Sequence, residues 1–186
     1  MEFQSLEIPD VVLMEPQVFG DERGWFSESF HQSKFADAVG REVCFVQDNH
    51  SRSVRGVLRG IHFQVGKAAQ GKLVRATVGE VLDIAVDLRR SSPTFGRWVS
   101  ATLSAENKSQ LWVPAGFGHA FLVISEVAEV QYKVDAYWSP EHERNLLWND
   151  PEIGIEWPKI GEVHLSEKDR MAPTLSDLIT EGDLFE

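Results

Sequence analysis

Between residues 45 and 138 the apolar side chains recur mostly at every second position, in short runs cut by glycine, proline or serine. Period two is the signature of extended chain, because successive side chains of a strand point to opposite faces. Short, closely spaced runs of this kind fit an antiparallel sandwich or barrel. Residues 81–88 show it best. Leu82, Ile84, Val86 and Leu88 share one face, while Val81, Asp83, Ala85 and Asp87 share the other, which reads as a polar cavity wall. Similar runs at 73–78, 98–103, 110–113, 120–124 and 129–137 are expected to supply further strands. Helical signals are few. Ser33 is placed to cap 34–39 with Gly40 as its stop, and Ser166-Glu167-Lys168-Asp169 has the spacing of a capping box. Residues 175–186 carry Leu175, Leu178 and Ile179 among acidic residues, which suits a packed terminal helix or a frayed end.

A chain of 186 residues with 42% hydrophobic content fits one domain, 1–186, with a real core. Its formal charge of -11 and the absence of a lysine- or arginine-rich run argue against nucleic acid as a partner. The lone Cys44 excludes an internal disulfide or a cysteine zinc site, and between Val43 and Phe45 it reads as a buried, inert thiol. No stretch approaches the roughly 18 apolar residues that cross a bilayer, and the first residues lack a signal-peptide pattern, so no membrane contact and a cytoplasmic location are expected.

Imidazole is the side chain whose ordinary pKa, about 6.5, lets it take and return a proton near neutrality. His62, in Arg59-Gly60-Ile61-His62-Phe63-Gln64, shares a face with Leu58 and Gln64, and His119 follows a Pro-Gly turn into an apolar strand. Two histidines inside one barrel raise the question of a metal. The ligand count opposes it, because Gln64 stands where a second histidine would complete a His-x-His pair, and no glutamate follows until Glu80. Arg59, with apolar Val57 and Ile61 on its alternating face, would want an anionic partner; together with Arg23 and Lys72 it suggests an anionic small molecule such as a sugar phosphate or nucleotide. Tyr132 shares its face with Val130, Val134, Ala136 and Trp138, so its phenol points inward, either bonded to backbone or acting as a proton donor. Asp169 either closes the helix cap or accepts a hydrogen bond from His62, and Asp83 is open to the same second role.

Residues 19–28, 47–51, 57–64, 70–75, 83–96, 107–121, 129–138, 148–158 and 165–173, in this order, resemble the dTDP-4-dehydrorhamnose 3,5-epimerase family. The resemblance implies an all-β, cupin-type antiparallel jelly-roll barrel with a few short peripheral helices, working without cofactor or metal as a homodimer. It implies epimerisation at C3 and C5 of dTDP-4-dehydro-6-deoxy-D-glucose, with His62 as base, Asp169 behind it, Tyr132 as acid on the opposite face and Lys72 on the enolate oxygen. Arg59 and His119 would line the sugar and diphosphate, and Arg23 would grip a phosphate, from either subunit. Phe19, Phe26, Glu28, Gln47, Asn49 and Trp138 would contact nucleotide or sugar. Phe63, Gly118, Ala120 and Trp138 depart from the expected pattern, and Trp138 bears on whether one or two centres are inverted. The alternatives are a 3-only or 5-only epimerase on a related nucleotide-linked keto sugar, a metal-dependent cupin enzyme, and a non-catalytic sugar-nucleotide binding module.

Overall fold

A computed structural model describes residues 1–186. Its strands are β1 (Glu2–Ser5), β2 (Val12–Glu15), β3 (Val18–Asp21), β4 (Gly24–Ser27), β5 (Gln47–Val54), β6 (Leu58–Gln64), β7 (Lys72–Val78), β8 (Glu80–Asp87), β9 (Trp98–Ser104), β10 (Gln110–Val113), β11 (Phe117–Val123), β12 (Val127–Val134) and β13 (Glu143–Asn145). Three short helices, α1 (Gln32–Val39), α2 (Glu167–Arg170) and α3 (Leu175–Glu181), lie outside them. One large sheet runs β1-β2-β10-β7-β12-β5, the other β13-β6-β11-β8-β9, and β3 and β4 pair apart from both, with every ladder antiparallel. From β5 to β12 the chain alternates between the sheets, with only β8 and β9 adjacent in the same one. The inner orders β5-β12-β7-β10 and β6-β11-β8-β9 are those of a jelly roll of two Greek keys. The expected fold class is the one observed.

Both faces of the five-stranded sheet are buried. Val81 and Ala85 of β8 pack between the sheets with Val74, Leu111, Val130, Phe117 and Phe121. Ile84, Val86 and Leu88 pack outward beneath α3 and the C-terminal segment. The face expected to be a polar cavity wall is therefore core, with Asp83 and Asp87 sealed inside it. Asp87 is held by Arg89, Ser92 and Thr94. The terminal segment does not fray. Thr174 and Asp177 form a capping box, and Leu175 and Leu178 are buried, each contributing about 1.5–3 kcal/mol against the cost of ordering the turn. α1 starts two residues earlier than expected: His31, not Ser33, is its N-cap, the ring Nδ1 accepting from the Lys34 N–H. Cys44 is exposed, not buried, because its neighbours Val43 and Phe45 supply the contacts that seat this loop against Phe35.

Along the inward faces of three strands the apolar alternation ends in a polar residue at the same end of the barrel. The series Ala76, Val74, Lys72 on β7, Val123, Phe121, His119 on β11, and Ala128, Val130, Tyr132 on β12 all run from core into a cavity. On β6 the register slips: His62 faces His119 while Arg59 faces Phe121, so three steps on β6 match two on β11. This bulge turns Arg59 to the same side as His62, correcting the simple alternation that separated them. Gly60 makes it possible. Its φ is +129°, and a Cβ there would lie 2.5 Å from the Ala120 Cβ and 2.6 Å from the His119 carbonyl oxygen.

Candidate active site

The polar end of the barrel is a cavity of about 330 Å³ whose walls come from both sheets. His62, Arg59 and His119 project from β6 and β11, and Asn49, Lys72 and Tyr132 from β5, β7 and β12 opposite. Trp138, 58% exposed, stands at the mouth. An adjoining hollow of about 200 Å³, bounded by Ser29, Arg75, Gln110 and Gln131, shares Asn49, His50 and Tyr132 with it.

Asp169 takes the role beside His62, and Ser166 caps α2 through the Asp169 N–H without the reciprocal backbone bond of the expected capping box. Asp169 Oδ1 lies 2.5 Å from His62 Nε2, while Oδ2 accepts from the Ser166 hydroxyl at 2.9 Å and the Asp169 N–H returns a bond to that hydroxyl. Burial pushes this carboxyl up, but hydrogen bonds from His62, Ser166 and the Gly60 backbone outweigh it and hold its pKa below the ordinary value. An ionised carboxylate only accepts, so Nε2 carries the hydrogen and Nδ1 is left as the nitrogen that can take a proton from a ligand. Asp83 goes elsewhere: both its oxygens lie 3.0 Å from His119 Nε2. Burial raises the Asp83 pKa, with His119 and Lys72 pulling against it.

Lys72 is buried, and the loss of water lowers its pKa to about 8, with Asp135, Glu143 and Asp83 working in the other direction. Burial raises the pKa of the Tyr132 phenol, Arg59 opposing, so the phenol keeps its proton at neutral pH. Arg59 has no carboxylate partner; its guanidinium donates only to the Ser53 hydroxyl at 3.1 Å, leaving its charge available to an anion.

The nucleotide-contact candidates divide into two groups. Asn49 and Trp138 line the cavity, and Gln47 ties them together, donating to Asn49 Oδ1 at 2.9 Å and accepting the Trp138 N–H at 3.2 Å. Phe19, Arg23, Phe26 and Glu28 do not reach the cavity of their own chain. Phe19, Arg23 and Phe26 sit on the exposed β3–β4 hairpin, where Arg23 grips Asp21 and Phe26 is 69% exposed, and Glu28 just beyond pairs with Lys34. β12 ends at Val134, short of the expected 137, because Asp135 turns to accept the Gly71 N–H; Ala136 and Trp138 therefore leave the strand. Glu143 was not anticipated. It lines the cavity from β13 and pairs with Lys168 at 2.7 Å, in a stretch where no periodicity could mark it.

A jelly roll enclosing a carboxylate-backed imidazole on one sheet and an unionised phenol with a buried ammonium on the other is a cupin-like fold whose cavity gathers groups able to give and take protons. The family model for dTDP-4-dehydrorhamnose 3,5-epimerase matches residues 5–177. A Pseudomonas aeruginosa dTDP-4-dehydrorhamnose 3,5-epimerase is 61% identical over 177 residues, covering 95% of this chain and 97% of that protein. A dTDP-6-deoxy-D-glucose-3,5-epimerase from Legionella pneumophila, solved with dTDP-4-keto-L-rhamnose, is similar with a TM-score of 0.94 and 46% identity, covering 100% of this chain and 97% of that one. A 3'-monoepimerase from Streptomyces bikiniensis, solved with dTDP-quinovose, is similar with a TM-score of 0.91 and 36% identity over 96% of this chain and 90% of its own. The chain belongs to the dTDP-4-dehydrorhamnose 3,5-epimerase family.

Proposed function

We propose that this chain is a dTDP-4-dehydrorhamnose 3,5-epimerase, a single jelly-roll domain that inverts C3 and C5 of dTDP-4-dehydro-6-deoxy-D-glucose on the way to dTDP-L-rhamnose. The observation that carries the reading is the opposition of His62 and Tyr132 across one cavity, on facing sheets, with Lys72 buried beside them. A proton next to a ketone is acidic only if the enolate that replaces it is stabilised. His62 Nδ1 takes the proton from the carbon flanking the C4 ketone, the electron pair moves to the C4 oxygen, and the Lys72 ammonium holds that oxygen. Tyr132 then gives its proton to the other face of the same carbon, which inverts it, and solvent returns both residues to their starting states. Repeating the cycle at the second flanking carbon completes the reaction. Arg59 and His119 face the anionic part of the substrate.

Turnover in heavy water tests this. Two-centre epimerisation installs deuterium at both C3 and C5, whereas incorporation at one carbon alone would mean a single-centre enzyme. Tyr132→Phe is expected to keep His62-driven exchange at the substrate carbons but lose net inversion by about 10²-fold or more, since base and acid act on opposite faces. Tyr132→Phe with full inversion would remove the phenol from the mechanism.

The working unit is a homodimer in which the β3–β4 hairpin of one subunit completes the cavity of its partner. Support comes from the exposure of Phe19, Trp25 and Phe26, at 55%, 64% and 69%, beside Arg23 on a hairpin that lines none of the His62 cavity of its own chain. Mixing inactive Arg23→Ala with inactive His62→Ala subunits should then restore part of the activity through hybrid dimers. No recovery after verified subunit exchange would place Arg23 outside the partner's site. The cytoplasm is the proposed compartment; no helix is long and apolar enough to cross a membrane.

A further inference from the structure

Gln64 closes β6 two residues beyond His62, on the same side of the strand, and is 3% exposed. A buried amide facing a ligand cavity normally offers something to the ligand. This one is consumed inside the protein. Its Oε1 accepts the Ser139 N–H at 2.6 Å, and its Nε2 donates to the carbonyls of Tyr137 at 3.2 Å and Ala68 at 2.8 Å. Only one orientation of the amide satisfies all three bonds, two of which need a donor and one an acceptor.

Two of these bonds straddle Trp138. The residue before it and the residue after it are both gripped by Gln64, and its own N–H is gripped by Gln47. Gln70 donates to the Ala136 carbonyl at 2.6 Å, and Ser139 Oγ is 2.8 Å from His142 Nδ1. A segment that has left its strand, with an indole more than half exposed, is thereby held as firmly as a ladder would hold it. The backbone that carries the indole has lost its freedom before any ligand arrives, which lowers the cost of stacking a planar ring on it.

We propose that Gln64 is a positioning residue for nucleotide recognition. It couples the strand that carries the base His62 to the segment that carries Trp138, setting a fixed distance between the proton-transfer end of the cavity and an aromatic platform for the planar base of a nucleoside diphosphate sugar. This rests on the reading that Trp138 contacts the nucleotide. The amide at the position where a metal-binding cupin would present a second histidine is, here, a staple for the rim.

The test measures dTDP affinity by calorimetry, and kcat and KM separately, for Gln64→Met, Gln64→Asn, Trp138→Ala and the double variant Gln64→Met with Trp138→Ala. Methionine fills the volume without the three bonds. Asparagine keeps a buried amide, one methylene too short to reach Ser139, and decides the matter should the methionine variant not fold. Loss of a preorganised stacking platform should weaken dTDP binding about tenfold in each Gln64 variant, with KM rising in parallel and kcat falling no more than about threefold. In the Trp138→Ala background the Gln64 substitution should add no further loss, because its effect passes through the indole. The proposal is overturned if Trp138→Ala weakens binding while folded Gln64 variants bind normally, or if the two losses add in full. If Trp138→Ala itself binds dTDP normally, the contact between Trp138 and the nucleotide is refuted, and the role of Gln64 falls with it.

Discussion

His62→Asn is expected to lower kcat by about 10²–10⁴-fold, the contribution of a positioned general base, while the barrel still folds. Asparagine cannot accept a proton at neutral pH, so neither C3 nor C5 should exchange with heavy water, in contrast to Tyr132→Phe, where exchange persists. The stability cost is separable from the catalytic one. Asp169 loses a partner but keeps the Ser166 hydroxyl and the Gly60 N–H, so the penalty is about 1–3 kcal/mol, which lowers the melting temperature by several degrees in a chain of this size. Thermal unfolding by circular dichroism, run beside steady-state assays, distinguishes the two. A folded variant retaining more than a tenth of wild-type turnover would mean that another group removes the proton.

Lys72→Met should be nearly as damaging, about 10²–10³-fold in kcat/KM, the usual loss when a donor to a developing oxyanion is removed. Methionine matches the aliphatic stem and removes a buried charge that burial already disfavours, so the fold should be no less stable. The pH profile gives a second, independent readout. In the proposed mechanism the ammonium is the form that holds the enolate oxygen, and it loses its proton as pH rises through about 8. Wild-type kcat/KM should therefore fall on the alkaline side with a midpoint near 8, well below the range where the phenol of Tyr132 ionises, and Lys72→Met should lack that limb. The stability effect has a definite sign. Because the folded-state pKa lies below the unfolded value near 10.5, the cost of burying the charged form is fully present below pH 8 and is relieved as pH rises from about 8 to 10.5. An alkaline limb that survives unchanged in Lys72→Met would assign it to another group.

The periodicity of the chain determined most of the architecture, and more of the site than its scatter along the sequence suggests. Lys72, His119 and Tyr132 each continue an alternating apolar face by one more step, so their inward direction is readable from period two alone. That all three reach the same end of the barrel is decided by the β7–β12 register, which sets Lys72 beside Tyr132, and by the packing of the second sheet, which brings His119 of β11 opposite them; both are properties of paired elements rather than of any one strand. Arg59 shows where alternation fails. A one-residue slip at Gly60 reverses the face of everything before it, and only the close approach of Ala120 and the His119 carbonyl shows why the slip is there.

Long-range partners were the part that local pattern left open. Asp169 lies 107 residues from His62 and Asp83 lies 36 from His119, and nothing in the spacing of either carboxylate says which imidazole it serves. Capping chemistry placed Asp169 at the third position of a helical turn, which is a local fact, and folding then brought that turn against β6, which is not. The burial that lowers Lys72 to about 8, and the interior bonds that turn Gln64 from a ligand donor into a rim staple, have the same origin. The sequence by itself determined which side chains face inward, through the two-residue repeat of an extended backbone. The tertiary structure alone decided which of them meet and how far each proton affinity moves, because contact and desolvation depend on neighbours brought in from distant parts of the chain.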